Sequence, residues 1–255
     1  MKNKNFVIEK KPQDGICNIC LNQFDVLSED HVPPESTGNH GKLEYRYYFN
    51  TAGKTQFHEF TDGIRYKTVC HECNGSLSNF DRCIATFYKQ SWQVDLNNCD
   101  EHSFSIKPNG IIRGVLGHFL SSKSTHNRSV FDDFCIDAWN DITKPLPQTF
   151  NFYVKYYPHN DIRVVRDLVL IGRTPAFTSV MKIKPWAFIV TDQEIYDEHV
   201  TRWNDYFAYP WHQKKNVSIS VSHACPQDEP EGNVEIMKIL GLLATESVIG
   251  KKLET

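Results

Sequence analysis

The sequence predicts an α+β protein, in which a small cysteine-bearing module precedes a larger α+β domain with a mostly antiparallel sheet. Three observations predict it. Two Cys-x-x-Cys pairs, Cys17/Cys20 and Cys70/Cys73, enclose strand-like segments, and the second pair heads a helical pattern. From about residue 100 two further helical patterns appear. Strand-like runs then follow one after another. Helices succeeded by consecutive strands are the pattern of an α+β fold rather than an alternating parallel one. The expected division is residues 13–92 for the first module and 100–255 for the second.

At 255 residues the chain can bury a substantial core in one large domain or two small ones. A composition that is 40% hydrophobic and 13% aromatic places it with folded proteins and not with disordered ones. No apolar run approaches the roughly 20 residues that span a bilayer. The first ten residues hold no apolar stretch of signal-peptide length, so no membrane partner and a cytoplasmic location are expected. A net charge of −3 argues against a polycation that coats nucleic acid passively.

The elements read as follows along the chain. Residues 1–16 form a lead-in that ends at the turn Gln13-Asp14-Gly15. Phe24 to Ser28 reads as a short strand running into Asp30-His31, and Pro33-Pro34 stops it because neither proline has an amide donor. Tyr45–Phe49 and Gln56–Phe60, joined through Gly53, suggest an inserted hairpin. Ile64–Val69 alternates as a strand into Cys70. After Cys73 a helix would bury Leu77, Phe80, Ile84 and Phe87, with Asn74, Ser78 and Asp81 on its polar face. Asn109 is placed to cap a helix carrying Ile112, Leu116 and Leu120. Another helix carries Phe131, Cys135, Trp139 and Ile142 and must stop before Pro145. Strands are expected over 150–157, 162–171, 180–191 and 217–222, and a last helix from Asn233 with Ile236, Leu240 and Leu243.

In a reducing compartment paired Cys-x-x-Cys spacing argues for metal rather than disulfides. One tight turn supplies two thiolates, and two turns close a tetrahedral shell, so Cys17, Cys20, Cys70 and Cys73 are expected to hold a structural zinc. The 49 residues between Cys20 and Cys70 exceed a usual knuckle loop, and an inserted hairpin accounts for them. His71 is expected to be exposed. Cys83, Cys99, Cys135 and Cys225 lack such spacing, and Cys135 fits a core position.

Between the cysteine pairs stand residues suited to phosphodiester hydrolysis, which needs an activated water, a neutralised phosphate and a stabilised leaving oxygen. Histidine is the natural base near neutral pH. Mg²⁺ takes oxygen ligands, few of them from protein. Asp30 offers a carboxylate and Asn74 an amide oxygen, while His31, next to Asp30 in an extended segment, points to the opposite side. The plainer readings are a turn pair for Asp30-His31, a helix N-cap for Asn74 and a solvent-facing carboxylate for Asp81.

Cys17-x-x-Cys20, Asp30-His31-Val32-Pro33-Pro34 and Cys70-His-Glu-Cys73-Asn74 together resemble the HNH (ββα-metal) endonucleases, most closely the zinc-stapled branch with the endonuclease VII junction resolvases. The resemblance covers about 75 residues, from Gln13 to Lys89. It implies a β-hairpin followed by a helix, with His31 as general base, Asp30 and Asn74 as ligands of a catalytic Mg or Mn ion, and the four cysteines on structural zinc. Asp81 is an accessory candidate. Cleavage of DNA, expected to be double-stranded, would leave 5′-phosphate and 3′-hydroxyl ends. Two features depart from the family pattern. An asparagine frequent before the second cysteine pair is missing from Ile64–Val69, which leaves the bracing of the loop without an owner. The final histidine of many members is Asn74 here.

For the second half, seven cations lie between Lys144 and Lys184 against two acids, with Tyr153, Tyr156, Tyr157 and Trp186 interspersed. Arg163, Arg166 and Arg173 are weak candidates for phosphate contact. The bland alternative is a solvated sheet face over core aromatics. A homodimer is a candidate assembly, and defence, homing and junction processing are candidate tasks. The rival functional reading is a non-catalytic zinc-finger module that binds nucleic acid or protein. A base beside a carboxylate, which such a module has no use for, favours the enzyme.

Overall fold

A computed structural model describes residues 8–9, 15–41, 43–48, 55–60, 62–123, 128–170, 176–222 and 246–252. The fold is α+β, with three α-helices and mostly antiparallel sheets among these residues. Its strands and helices run β1 (Ile8–Glu9), β2 (Ser28–His31), β3 (Leu43–Tyr48), β4 (Thr55–Phe60), β5 (Arg65–Val69) and α1 (His71–Ser91). After these come β6 (Glu101–Ile106), α2 (Pro108–Ser121), α3 (Val130–Asn140), β7 (Asn151–Tyr156), β8 (Asp161–Leu170) and β9 (Ala176–Ile183). The last are β10 (Trp186–Thr191), β11 (Val200–Arg202), β12 (Lys215–Ser220) and β13 (Glu246–Lys252). No helix among the described residues is long and apolar enough to cross a membrane.

Three sheets form. β2 pairs antiparallel with β5, and β1 lies parallel on the other side of β5. The expected hairpin is present as β3 and β4. It joins a large sheet of order β11-β7-β10-β9-β8-β13-β3-β4 through β13. β6 and β12 make a separate antiparallel pair.

α1 begins earlier than the sequence suggested. Cys70 is its N-cap, with Sγ accepting from the Cys73 N–H, so Asn74 sits inside the first turn and does not cap the helix. Leu77, Phe80, Ile84 and Phe87 are buried as the 3.6-residue period requires. Phe87 stacks on Trp186 at 5.0 Å and meets Phe104 edge-on at 5.3 Å, which seats α1 against β10 of the large sheet and β6 of the two-stranded one. Tyr88 donates its hydroxyl to the Ile183 carbonyl, and Trp186 donates Nε1–H to Ser91 Oγ, so the polar tips of these buried rings are satisfied.

α2 is buried all round. A one-faced pattern of Ile112, Leu116 and Leu120 therefore understated it; a helix buried on every side is a core helix, and its polar residues Asn109, Arg113 and His118 are hydrogen-bonded inside. Pro108 stands at N1, where its missing N–H costs nothing, so the cap is Lys107 and not Asn109. Asn109 instead donates to the Tyr206 and Phe207 carbonyls and accepts from Arg113 Nε. Gly114 and Gly117 let α1 and Trp139 approach closely. A Cβ at Gly114 would stand 2.8 Å from Ile84 Cδ1, and one at Gly117 would stand 2.6 Å from Leu77 Cδ2. A Gly117→Val substitution should lower the melting temperature by several degrees, since overpacking costs roughly 1–3 kcal/mol. An unchanged melt would show that the helix pair is not tightly seated.

α3 stops at Asn140, capped at its start by the reciprocal Ser129–Asp132 box, and Ile142 is exposed beyond its end. The apolar run 180–191 is two strands, because the chain turns at Lys184-Pro185. The helix expected from Asn233 lies outside the described residues.

Candidate functional site

The site is built where β2, β5 and α1 meet. Ile16 and Gln23 form a bridge across the first knuckle, and the Leu21 N–H donates to the Cys17 carbonyl at 2.9 Å. This turn brings Cys17 and Cys20 to Cys70 and Cys73 at the head of α1. All four sulfurs lie within 4.8 Å of one another, with Cys20 Sγ to Cys70 Sγ at 3.9 Å. A tetrahedron with Zn–S near 2.3 Å has edges of about 3.8 Å. Backbone N–H groups of Cys70 and Cys73 also point at Cys17 and Cys70 sulfurs, at 3.2 and 3.4 Å. The hydrogen bond from Cys73 pushes the Cys17 thiol down to about 4, and the same bond pushes Cys73 up. The neighbours of Cys17 thus favour a thiolate there, the form in which sulfur ligates a divalent cation. Geometry and charge are both consistent with a zinc site. His71 is exposed, as expected.

Asp30 and His31 lie within β2, which starts at Ser28, so the strand expected over Phe24 to Ser28 is displaced toward the motif. Alternation along the strand separates the two side chains. Asp30 is buried, and His31 is half-buried on the other side. His31 Nε2 donates to the Asp62 carbonyl at 3.2 Å. A carbonyl can only accept, so this bond fixes the tautomer and leaves the Nδ1 lone pair as the basic one.

Asn74 is tied to the residues just before Asp30. Its Nδ2 donates to Ser28 Oγ at 2.7 Å and to the Glu29 carbonyl at 2.8 Å. With the amide nitrogen doubly engaged, Oδ1 is the atom Asn74 presents elsewhere. A carboxylate and an amide oxygen on adjoining elements are the donor set that fits a hard divalent ion.

Two residues that sequence reasoning missed complete the surroundings. The first is Asn39, fully buried, which donates Nδ2–H to the carbonyls of Pro33 (2.6 Å) and Ile64 (3.1 Å) and accepts from the Ile64 N–H (2.7 Å). It braces the loop between Asp30-His31 and β5, the task left without an owner by Ile64–Val69. Gly63 makes room for it. Gly63 has φ +76°, and a Cβ there would stand 2.2 Å from the Asn39 carbonyl oxygen. Asn39→Ala would orphan the Pro33 carbonyl and the Ile64 N–H, while the Ile64 carbonyl keeps the Val32 N–H, at about 1–3 kcal/mol for each uncompensated group. A clear fall in melting temperature is expected, and an unchanged melt would remove the bracing role. The sequence signal was weak: one asparagine in a polar loop, Ser36-Thr-Gly-Asn-His-Gly41.

The second is His118 of α2. Its Nδ1 bonds Asp30 Oδ2 at 3.1 Å and its Nε2 bonds Asp81 Oδ1 at 2.7 Å, with the ring fully buried. Burial alone would lower its pKa. The two facing carboxylates outweigh burial and raise it to about 10, so both nitrogens carry protons at neutral pH. Asp81, expected to face solvent, is only partly exposed and engaged by this ring. A lone histidine in an apolar helical run gives no hint of such partners in sequence.

The cationic candidates of the second half are placed differently from expectation. Arg163 is buried with its Nε on Asp161 Oδ2 at 2.6 Å. Arg166 is buried between Asp132 (2.5 Å) and Asp167 (3.7 Å), and Lys182 lies 5.3 Å from the Tyr157 ring. Tyr153, Tyr156, Tyr157 and Trp186 are core residues. Arg163 and Arg166 are therefore interior ion-pair partners and not phosphate-facing groups, because the acids that neutralise them are supplied by their own strand and by α3. Arg173 lies outside the described residues.

Comparison with family models, with curated proteins and with solved structures returned no match.

Proposed function

We propose that this chain is a divalent-metal-dependent endonuclease of the HNH (ββα-metal) type that hydrolyses DNA phosphodiester bonds. The reading is carried by the placement of Asp30 and His31 on β2, paired antiparallel with β5, and of Asn74 in the first turn of α1. There Asn74 bonds Ser28 and the Glu29 carbonyl of β2, beside four cysteines whose geometry is consistent with zinc. Asn39 supports it by bracing the loop beside the histidine.

In this reading Asp30 and Asn74 hold Mg²⁺ or Mn²⁺ through oxygen, and the ion supplies charge neutralisation at the phosphate and at the departing 3′ oxygen. His31 takes the proton of the attacking water at Nδ1 while the Asp62 carbonyl holds its other nitrogen. Products would be 5′-phosphate and 3′-hydroxyl ends. The cysteines act on structure only, since four sulfur ligands leave no open position on zinc.

Incubating supercoiled plasmid with the purified protein tests the proposal. Nicking with Mg²⁺ or Mn²⁺ and none with EDTA is expected; no cleavage with any divalent ion would sink it. Asn74→Ala should weaken metal use and be partly rescued at raised metal concentration. Equal metal dependence in the variant and the native chain would remove Asn74 from the site.

A further inference from the structure

We infer that His118 and Asp81 form a positioning pair for the Asp30 carboxylate, so that a residue of α2, outside the Gln13–Lys89 segment, sets the geometry of the divalent-ion site. This rests on the function proposed above and deepens it.

The case begins with what His118 is unable to do. Both ring nitrogens are within hydrogen-bond distance of carboxylates, Asp30 on β2 and Asp81 on α1, so neither is left to ligate a metal or to accept a proton from water. The ring is fully buried and makes no contact with solvent. Its chemistry is therefore spent on orientation. One Asp30 oxygen held by a buried ring fixes the plane in which the carboxylate offers its other oxygen. The second nitrogen, held by Asp81, fixes the ring to the helix that carries Asn74. Both proposed metal-binding residues are thus referred to one imidazole.

The position of that imidazole is itself tightly set. Asn18, between the first two cysteines, donates Nδ2–H to the carbonyls of Leu120 (3.0 Å) and Lys123 (2.7 Å) at the end of α2. Thr68 on β5 donates its hydroxyl to the Ser121 carbonyl. The absent side chains of Gly114 and Gly117 bring α1 against the same helix. The cysteine knuckle, β5 and α1 all register on the last turns of α2, which is where His118 sits. Partners that orient a metal-binding side chain typically matter about 10- to 100-fold in metal affinity.

The test uses the full-length, zinc-loaded protein without DNA, and reads Mn²⁺ affinity by calorimetric titration beside zinc content and melting temperature. Asp30→Asn defines the site. Asp81→Ala is the main probe, because Asp81 is partly exposed on a helix where alanine is well tolerated. It should weaken Mn²⁺ binding about 10- to 100-fold with zinc unchanged, and Asp81→Asn, which still accepts a hydrogen bond, should recover part of the loss. His118→Asn should match Asp81→Ala; if it fails to fold, the two Asp81 variants still decide. Mn²⁺ binding that Asp30→Asn abolishes but Asp81→Ala leaves at native strength overturns the positioning pair and spares the proposed function. Equal Mn²⁺ binding by the native chain and Asp30→Asn overturns both.

Discussion

His31→Ala should lower plasmid cleavage by about 10²- to 10⁴-fold, the usual cost of losing a positioned general base. Zinc content and melting temperature should stay close to native. The expectation of an intact fold comes from the side chain's surroundings. His31 is half-buried at the end of β2, and its ring bonds the carbonyl of Asp62, an exposed residue that water can satisfy once the ring is gone. The backbone pairing of His31 with Arg65 does not depend on the ring. Loss of activity with fold retained would place the defect in chemistry, and added imidazole should restore part of the rate by entering the vacated space. A variant that cuts within a few-fold of the native chain would remove His31 from the reaction, whatever its neighbours hold.

How far the sequence reaches is visible by comparing His31 with His118. His31 was legible because its neighbours in sequence carry the meaning: Asp30 before it, prolines after it, and cysteine pairs on both sides. Local motifs of this kind survive without a structure because their parts are joined by few bonds. His118 belongs to no motif. Its partners lie 88 and 37 residues away, and its helix is buried on every face, so no exposed polar stripe marked it as functional. Asn39 was hidden for a related reason. Loop asparagines ordinarily cap turns or face water, and only the closure of the β2–β5 loop shows that this one is buried among three backbone groups. Arg163 and Arg166, weak candidates within the basic stretch from Lys144 to Lys184, show the opposite case. Charge counted along a strand says nothing of the acid that meets it, and Asp132, which neutralises Arg166, comes from a helix 34 residues earlier. The α+β class and the inserted hairpin were readable from hydrophobic period and order. The pairing of that hairpin with β13, nearly 200 residues on, was not.

Cys70→Ser should release the metal and unfold the N-terminal module. Each of the four sulfurs serves one cluster, but Cys70 does three things at once. Its Sγ lies in the four-sulfur group, it caps α1 by accepting from the Cys73 N–H, and its own N–H points at Cys17 Sγ. A serine hydroxyl preserves the capping role, because serine is among the best N-caps. It is a far poorer zinc ligand than a thiolate. The substitution therefore separates capping from metal binding, and what is lost is attributable to the metal. Structural zinc in small modules is worth roughly 10–16 kcal/mol at neutral pH, more than the total stability of most domains. Among the described residues between Cys17 and Cys70, Ile19, Leu27, Val32, Ile64, Tyr66 and Val69 are buried hydrophobic residues that pack beside the cluster. Without the ion the first knuckle would let go of the helix start, and Asn74 would lose its hold on Ser28 and Glu29. Elemental analysis should give one zinc per native chain and none in the variant, and proteolysis should cut the variant first between residues 15 and 70. Native protein free of zinc, or a variant that resists protease as the native chain does, would show that the cysteines do not staple this fold.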